Sequence, residues 1–134
     1  KCGLVLADLQ HGLVSEGHVL SPEAVEPWLE QWNQDQPLDR ILIGDGTGSQ
    51  AWIKRLERLG SLTVIPEQGT TLRARQRYWT LWPARGWRRV LPKGLRIPPV
   101  DLDAVAALVM LEEHLQCQLR WPEPAPTFSL RTWP

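Results

Sequence analysis

Apolar positions open the chain in two short runs, 2–7 (CGLVLA) and 13–20 (LVSEGHVL), separated by the polar stretch Asp8 to Gly12. Two strands joined by a short turn, an antiparallel hairpin, are expected. Ser21, Pro22 and Glu23 then read as an N-cap, a first helical residue and a first-turn acid. Val25, Trp28, Leu29 and Trp32 recur at i, i+3, i+4 and i+7, so a helix over 22–34 buries one face.

The next run, Asp39 to Ile43 (DRILI), is a short apolar strand that ends in the turn Gly44 to Ser49. Trp52, Ile53, Leu56 and Leu59 form the stripe of a second helix, and Ser61 to Ile65 form a third strand after Gly60. Strand, helix, strand with short connections is the order of a parallel βαβ unit. Past Glu67, Gly69-Thr70-Thr71 can cap a helix reaching Thr80. The stretch 83–99 holds four prolines and is expected to lack regular structure. A last helix, 102–116, is apolar nearly all round from Ala104 to Leu111, and Asp103 shares a stripe with Ala107, Met110 and His114. The reading therefore divides the chain into a domain, 1–116, and an extended proline-rich tail, 117–134, in which Trp121 to Pro126 suit a polyproline-like path.

Composition narrows the class. With 134 residues the chain is one domain large enough to bury a core. Cys2 and Cys117 are too few for a disulfide scaffold and have no metal-ligand spacing, so both are expected as free thiols, buried or nearly so. No apolar run reaches 18 residues and the first residues do not resemble a signal peptide, which leads to the expectation of a cytoplasmic protein without a membrane partner. Of the eight tryptophans, Trp28, Trp32 and Trp52 fall on helical stripes and read as packing residues.

Charge changes the picture most. The net charge is zero, yet the window from Gln68 to Val100 contains Arg73, Arg75, Arg77, Arg85, Arg88, Arg89, Lys93 and Arg96 and no acid. The rest of the chain carries fifteen acids against seven cations. A basic island suits a polyanion, and Trp82 and Trp87 sit inside it, where an indole can stack on a base or an arginine plane. Arg73, Arg77, Arg85, Trp87, Arg88, Arg89, Lys93 and Arg96 are the candidate nucleic-acid contacts.

Carboxylates flank the island. Glu67 follows the C-terminal end of a parallel strand, where open α/β sheets build sites, and Asp103 enters a buried helix, which is costly unless the carboxylate is bonded, paired or metal-bound. Asp101 competes with it as the helix cap. The turn Gly44 to Ser49 lacks the lysine of a phosphate loop and reads as a plain connection, with Thr47 or Ser49 as cap and Asp45 as a cap or rim carboxylate. His11, His18 and His114 are scattered and have no nucleophile elbow beside them, which leaves triad catalysis unsupported.

These motifs resemble a known family. Pro66-Glu67-Gln68-Gly69-Thr70-Thr71, with Ala74 and Arg75 downstream, resembles the DER-x-(S/T)-T segment of RuvC/YqgF-type RNase H-like nucleases, which include Holliday junction resolvases and nucleases trimming pre-16S ribosomal RNA. Asp103-Ala104-Val105-Ala106-Ala107, with Leu111 and Leu115, resembles their closing helix, and Ile41-Leu42-Ile43-Gly44 the strand between. The linker Leu91 to Pro99 is similar to the cyanobacterial branch, and the likeness spans residues 1–116.

The resemblance implies an α/β, RNase H-like three-layer fold with a mixed sheet: an antiparallel hairpin followed by βαβ units. It implies a nuclease, a hydrolase of phosphodiester bonds in branched DNA or structured RNA, using Mg²⁺ or Mn²⁺ held by Glu67 and Asp103 as catalytic metal ligands, and a homodimer where two strands are cut symmetrically. A non-catalytic nucleic-acid-binding module on the same fold is the alternative. The family's first metal aspartate lies on an opening central strand in a D-x-G motif, whereas Lys1-Cys2-Gly3 resembles the residues just after it. Absence of that strand should leave a gap between the hairpin and the strand at 39–43. Pro66 and Gln68 stand where the family often has Asp and Arg, which makes the surroundings of Glu67 leaner.

Overall fold

The first two apolar runs pair as β1 (Cys2–Asp8) and β2 (Leu13–Leu20), antiparallel, with an irregularity between Leu6 and Ala7. The structure is a computed structural model that describes residues 1–46 and 48–129. Pleating sends alternate residues to opposite faces. Leu4 and Leu6 meet one hydrophobic core while Val5 and Ala7 meet another, so the hairpin carries a core on each side.

Helix α1 (Pro22–Asp35) buries Ala24, Val25, Leu29 and Trp32 against the first of these cores. Trp28 completes the stripe half-buried, with its ring 4.1 Å from that of His18. Ser21 has the extended backbone of an N-cap, but its hydroxyl makes no cap bond and is buried without a partner; its carbonyl accepts from the Ala24 amide instead. Pro22 at the first helical position removes one of the amides that a cap would have to satisfy.

Strands β3 (Arg40–Gly44) and β4 (Ser61–Ile65) pair in parallel, from Arg40 beside Ser61 to Gly44 beside Ile65. Between them run α2 (Ser49–Leu56) and a 3₁₀ turn, Glu57–Leu59. Helices α3 (Thr70–Leu81) and α4 (Asp103–Leu115) follow and pack with the other face of the hairpin. Gly48 and Gly69, both left-handed at φ 89° and 75°, stand at the starts of α2 and α3. Ser49 is thus inside its helix rather than its cap, and Thr47 lies outside the described residues.

Four expectations are corrected. The stretch 83–99 contains two 3₁₀ turns, Gly86–Val90 and Lys93–Leu95, because Arg96 bridges its backbone from within. Asp101 does not cap α4: Leu102 holds that position, and Asp101 pairs with Lys1 at 2.8 Å. Cys117 is exposed, since it follows the left-handed Gln116 that ends α4. The segment after Cys117 is extended but docked. Leu119 and Trp121 are buried, Arg120 bridges Leu13, and the short β5 (Phe128–Ser129) adds parallel to β2. Gly17 makes room for this, because a Cβ there would lie 2.3 Å from the Trp121 ring.

Among the described residues the strands form two sheets, β1-β2-β5 and β3-β4, in a mixed α/β architecture. Among the described residues, the edges of β1 and β3 that face away from β2 and β4 have no strand partner. A groove of about 1410 Å³ lies between them, lined along β1 and β3 and walled by α1, α2 and α4.

Candidate functional site

Glu67 is held by its backbone from several directions. Its amide donates to Asp45 Oδ1 at 3.2 Å, and its carbonyl accepts from the Thr70 hydroxyl at 2.8 Å and the Thr70 amide at 3.2 Å. The Asp45 amide in turn donates to the carbonyl of Ile65, so the turns after β3 and β4 are tied together. Asp45, a cap or rim carboxylate by sequence, is thus a positioning residue for Glu67. The Glu67 carboxylate lies in space that only glycine leaves: a Cβ at Gly44 would stand 2.3 Å from Oε2, and one at Gly46 would stand 1.7 Å from Oε1.

Asp103 is the first residue of α4 and is partly buried. Gly3 passes directly beneath it, and a Cβ on Gly3 would fall 1.9 Å from the Asp103 carbonyl oxygen. Asp103 and Glu67 both line the groove between β1 and β3. No group of three or more His, Cys, Asp or Glu side chains converges as a metal site among the described residues. Glu67 and Asp103 are two carboxylate donors along one groove, whereas a divalent ion such as Mg²⁺ takes several oxygen ligands.

The basic island divides into internal and outward cations. Arg77 is internal: Nε and Nη2 donate to the two carboxylate oxygens of Glu112 at 2.9 and 2.8 Å, and Nη2 also donates to the Leu119 carbonyl. Arg73 pairs with Glu113, and Arg96 donates to the carbonyls of Leu91 and Arg89. A phosphate could engage Arg77 only by breaking a buried pair. The sequence signal for it was a charge, Glu112, on the buried stripe of an apolar helix.

Arg85 and Arg89 are exposed on either side of Trp87, which is itself 66% exposed, and the half-buried Arg88 sets its guanidinium 5.1 Å from the Trp87 ring centre. Arg75 lies nearby in sequence on α3 and is half-buried; Lys93 sits in the second 3₁₀ turn. Trp79 donates from its indole to the Arg96 carbonyl and, with Arg96, gives the loop a fixed path. Trp82 departs from expectation: its ring packs between Tyr78 and Trp121, and its indole donates to the Glu123 carbonyl. It is therefore not presented for stacking.

Asp8, His11, Glu16, His18 and Cys2 are engaged locally. His11 sits 2.7 Å from Asp8, and this hydrogen bond holds the Asp8 carboxyl below its usual range. His18 contacts Glu16 and stacks on Trp28. Burial pushes the Cys2 thiol upward, which keeps it protonated and a poor nucleophile. No helix among the described residues is long and apolar enough to cross a membrane. No family model, curated protein or solved structure matches the chain.

Proposed function

We propose that this chain binds nucleic acid through its 85–96 segment, on a fold of the RNase H-like nuclease kind. The observation that carries this reading is Trp87, left two-thirds exposed with Arg88 against its ring and Arg85 and Arg89 outward beside it. Exposed cations neutralise phosphates and release counterions, while an exposed indole offers a stacking face for a splayed base. The loop's internal bonds from Arg96 and Trp79 hold these groups in place before a ligand arrives, which lowers the entropic cost of binding. Trp87→Ala tests it: affinity for a single-stranded or looped oligonucleotide should fall by about 1–3 kcal/mol. An unchanged affinity contradicts the reading.

Catalysis is the second reading, favoured by one observation: Glu67, seated on Gly44 and Gly46, and Asp103, at the head of α4, line the same groove. With the motif resemblance, this supports a phosphodiesterase acting on branched DNA or structured RNA with Mg²⁺ or Mn²⁺ as cofactor. A complete metal site requires oxygen donors beyond these two. Incubation of a four-way DNA junction and a structured RNA with each metal tests it. Metal-dependent cleavage lost in both Glu67→Gln and Asp103→Asn supports the enzyme; cleavage unchanged in both variants, or binding indifferent to metal without cleavage, leaves the binding module.

A further inference from the structure

We propose that the 85–97 loop selects unpaired over paired strands, through exposed aliphatic side chains that close on base faces. The inference rests on the nucleic-acid reading above and adds the class of ligand. Four of the seven strongly exposed large apolar side chains among the described residues stand between 87 and 97: Trp87, Val90, Leu95 and Ile97, at 66%, 83%, 62% and 72% exposure. Scattered apolar groups on a surface are ordinary, whereas a concentration of them marks a binding surface. Phosphate binding accounts for the arginines and leaves the aliphatics unexplained.

Local geometry arranges them in two pairs. Trp87 and Val90 are three residues apart in the 3₁₀ turn Gly86–Val90. With about three residues per turn and a rise of about 2 Å, side chains at that spacing eclipse, so the indole and the isopropyl group stand one above the other roughly 6 Å apart. Stacked bases are about 3.4 Å apart, so this step has room for one base lying on the indole with Val90 against it. Leu95 and Ile97 flank Arg96, whose guanidinium turns inward to the carbonyls of Leu91 and Arg89 at 3.1 and 2.9 Å. The bond to Arg89 ties the second pair to the turn that carries the first, and the Trp79 indole holds the Arg96 carbonyl from α3 at 3.2 Å. The bonds that brace the loop thus also hold its aliphatics outward.

Charge and shape narrow the occupant. Arg85 and Arg89 are exposed on either side of Trp87, and no acid occurs from Gln68 to Val100. The occupant must carry repeated negative charge beside flat apolar surface. Each nucleotide of an unpaired strand does, because its base can turn out of the stack onto a side chain. A duplex hides its base faces within the stack and offers mostly phosphate and sugar, which cations engage and aliphatics do not. The arginines alone would bind both forms through phosphates; Val90, Leu95 and Ile97 supply the difference.

The test is fluorescence anisotropy with a labelled single strand of about twelve nucleotides and with the duplex it forms with its complement, at one fixed salt concentration. The parent chain should prefer the single strand by about tenfold or more. Val90→Ser, Leu95→Ser and Ile97→Ser combined should abolish that preference while duplex affinity stays within about twofold. Arg85→Ala and Arg89→Ala combined should weaken both ligands together and keep the preference. All five positions are exposed, and circular dichroism checks the fold. Should the serine variant unfold, Val90→Ser alone and the parent's own preference decide. Salt-sensitive binding of equal strength to both forms would overturn this inference and leave the nucleic-acid reading standing. A preference that survives in the serine variants would also overturn it, and would assign the aliphatics to a protein partner instead. Absence of binding to either form would remove both.

Discussion

Arg77 and Glu112 form a two-pronged ion pair between α3 and α4, with N–O distances of 2.9 and 2.8 Å and side chains only 12% and 8% exposed. The pair also fixes the segment that follows α4, since Glu112 accepts the Leu119 amide at 2.7 Å and Arg77 donates to the Leu119 carbonyl. Removing one partner leaves a buried charge and an unmatched backbone group. Glu112→Ala should therefore lower stability by about 3–5 kcal/mol, measured by urea unfolding. Replacing a rim arginine such as Arg85 by alanine should change it by less than about 0.5 kcal/mol. Equal effects would show that the pair is not the internal brace described.

Gly3 lets β1 run under the first turn of α4, where a Cβ would meet backbone atoms of Asp103 and Ala104 at 1.9–2.5 Å. Backbone cannot rotate away as a side chain can. Gly3→Ala should cost about 1–3 kcal/mol and shift α4 on the hairpin, visible as a loss of near-ultraviolet dichroism. A variant as stable as the parent would contradict this packing.

Gln116 ends α4 in a left-handed conformation, φ 56°, with the Cys117 amide donating to the Glu112 carbonyl. Glycine adopts that conformation without a Cβ penalty. Gln116→Gly is expected to raise stability by about 1 kcal/mol in thermal or urea unfolding. A loss would mean the glutamine side chain contributes more than its backbone strain costs.

The side chains of Arg58 and Arg55 hydrogen-bond Glu26, linking α2 and its following turn to α1, and hold the Glu26 carboxyl below its usual value of 4.5. A carboxyl lowered by folding stabilises the fold above its unfolded pKa. That contribution is lost as pH falls from 4.5 through the lower folded value. Glu26→Gln should flatten the stability profile in this acid range, measured by urea midpoints, and leave its shape above pH 6 unchanged. A profile of parental steepness below pH 4.5 would refute the link.

Much of this fold is legible in the sequence because its signals are local. The i, i+3, i+4 stripe of Val25, Trp28, Leu29 and Trp32 predicts α1, and the glycines at 44–48 and 60 punctuate the single parallel connection from β3 through α2 to β4. What is not legible depends on distant partners. Ser21 looked like a side-chain cap, but its carbonyl answers the helix; Asp101 looked like a cap, but Lys1 claims it. The docking of Leu119 and Trp121 needs Gly17 and Arg77, about 100 and 42 residues away in sequence, and composition alone favoured a free extended path. At the candidate site, proximity of Glu67 to the Gly44–Gly46 turn follows from a parallel strand pair, whereas the division of the island into internal Arg77 and exposed Arg85 and Arg89 requires the packing of the chain to be known.

The most direct test of the central claim is the salt dependence of nucleic-acid binding, by fluorescence anisotropy with a labelled four-way junction and a structured RNA. The parent chain is compared with Arg85→Ala, Arg88→Ala and Arg89→Ala combined. Each outward cation that neutralises a phosphate adds about one to the slope of log affinity against log salt. The account predicts salt-sensitive binding by the parent, weakened binding by the variant and a slope smaller by about two to three. Binding with the same affinity and slope in both proteins would contradict it.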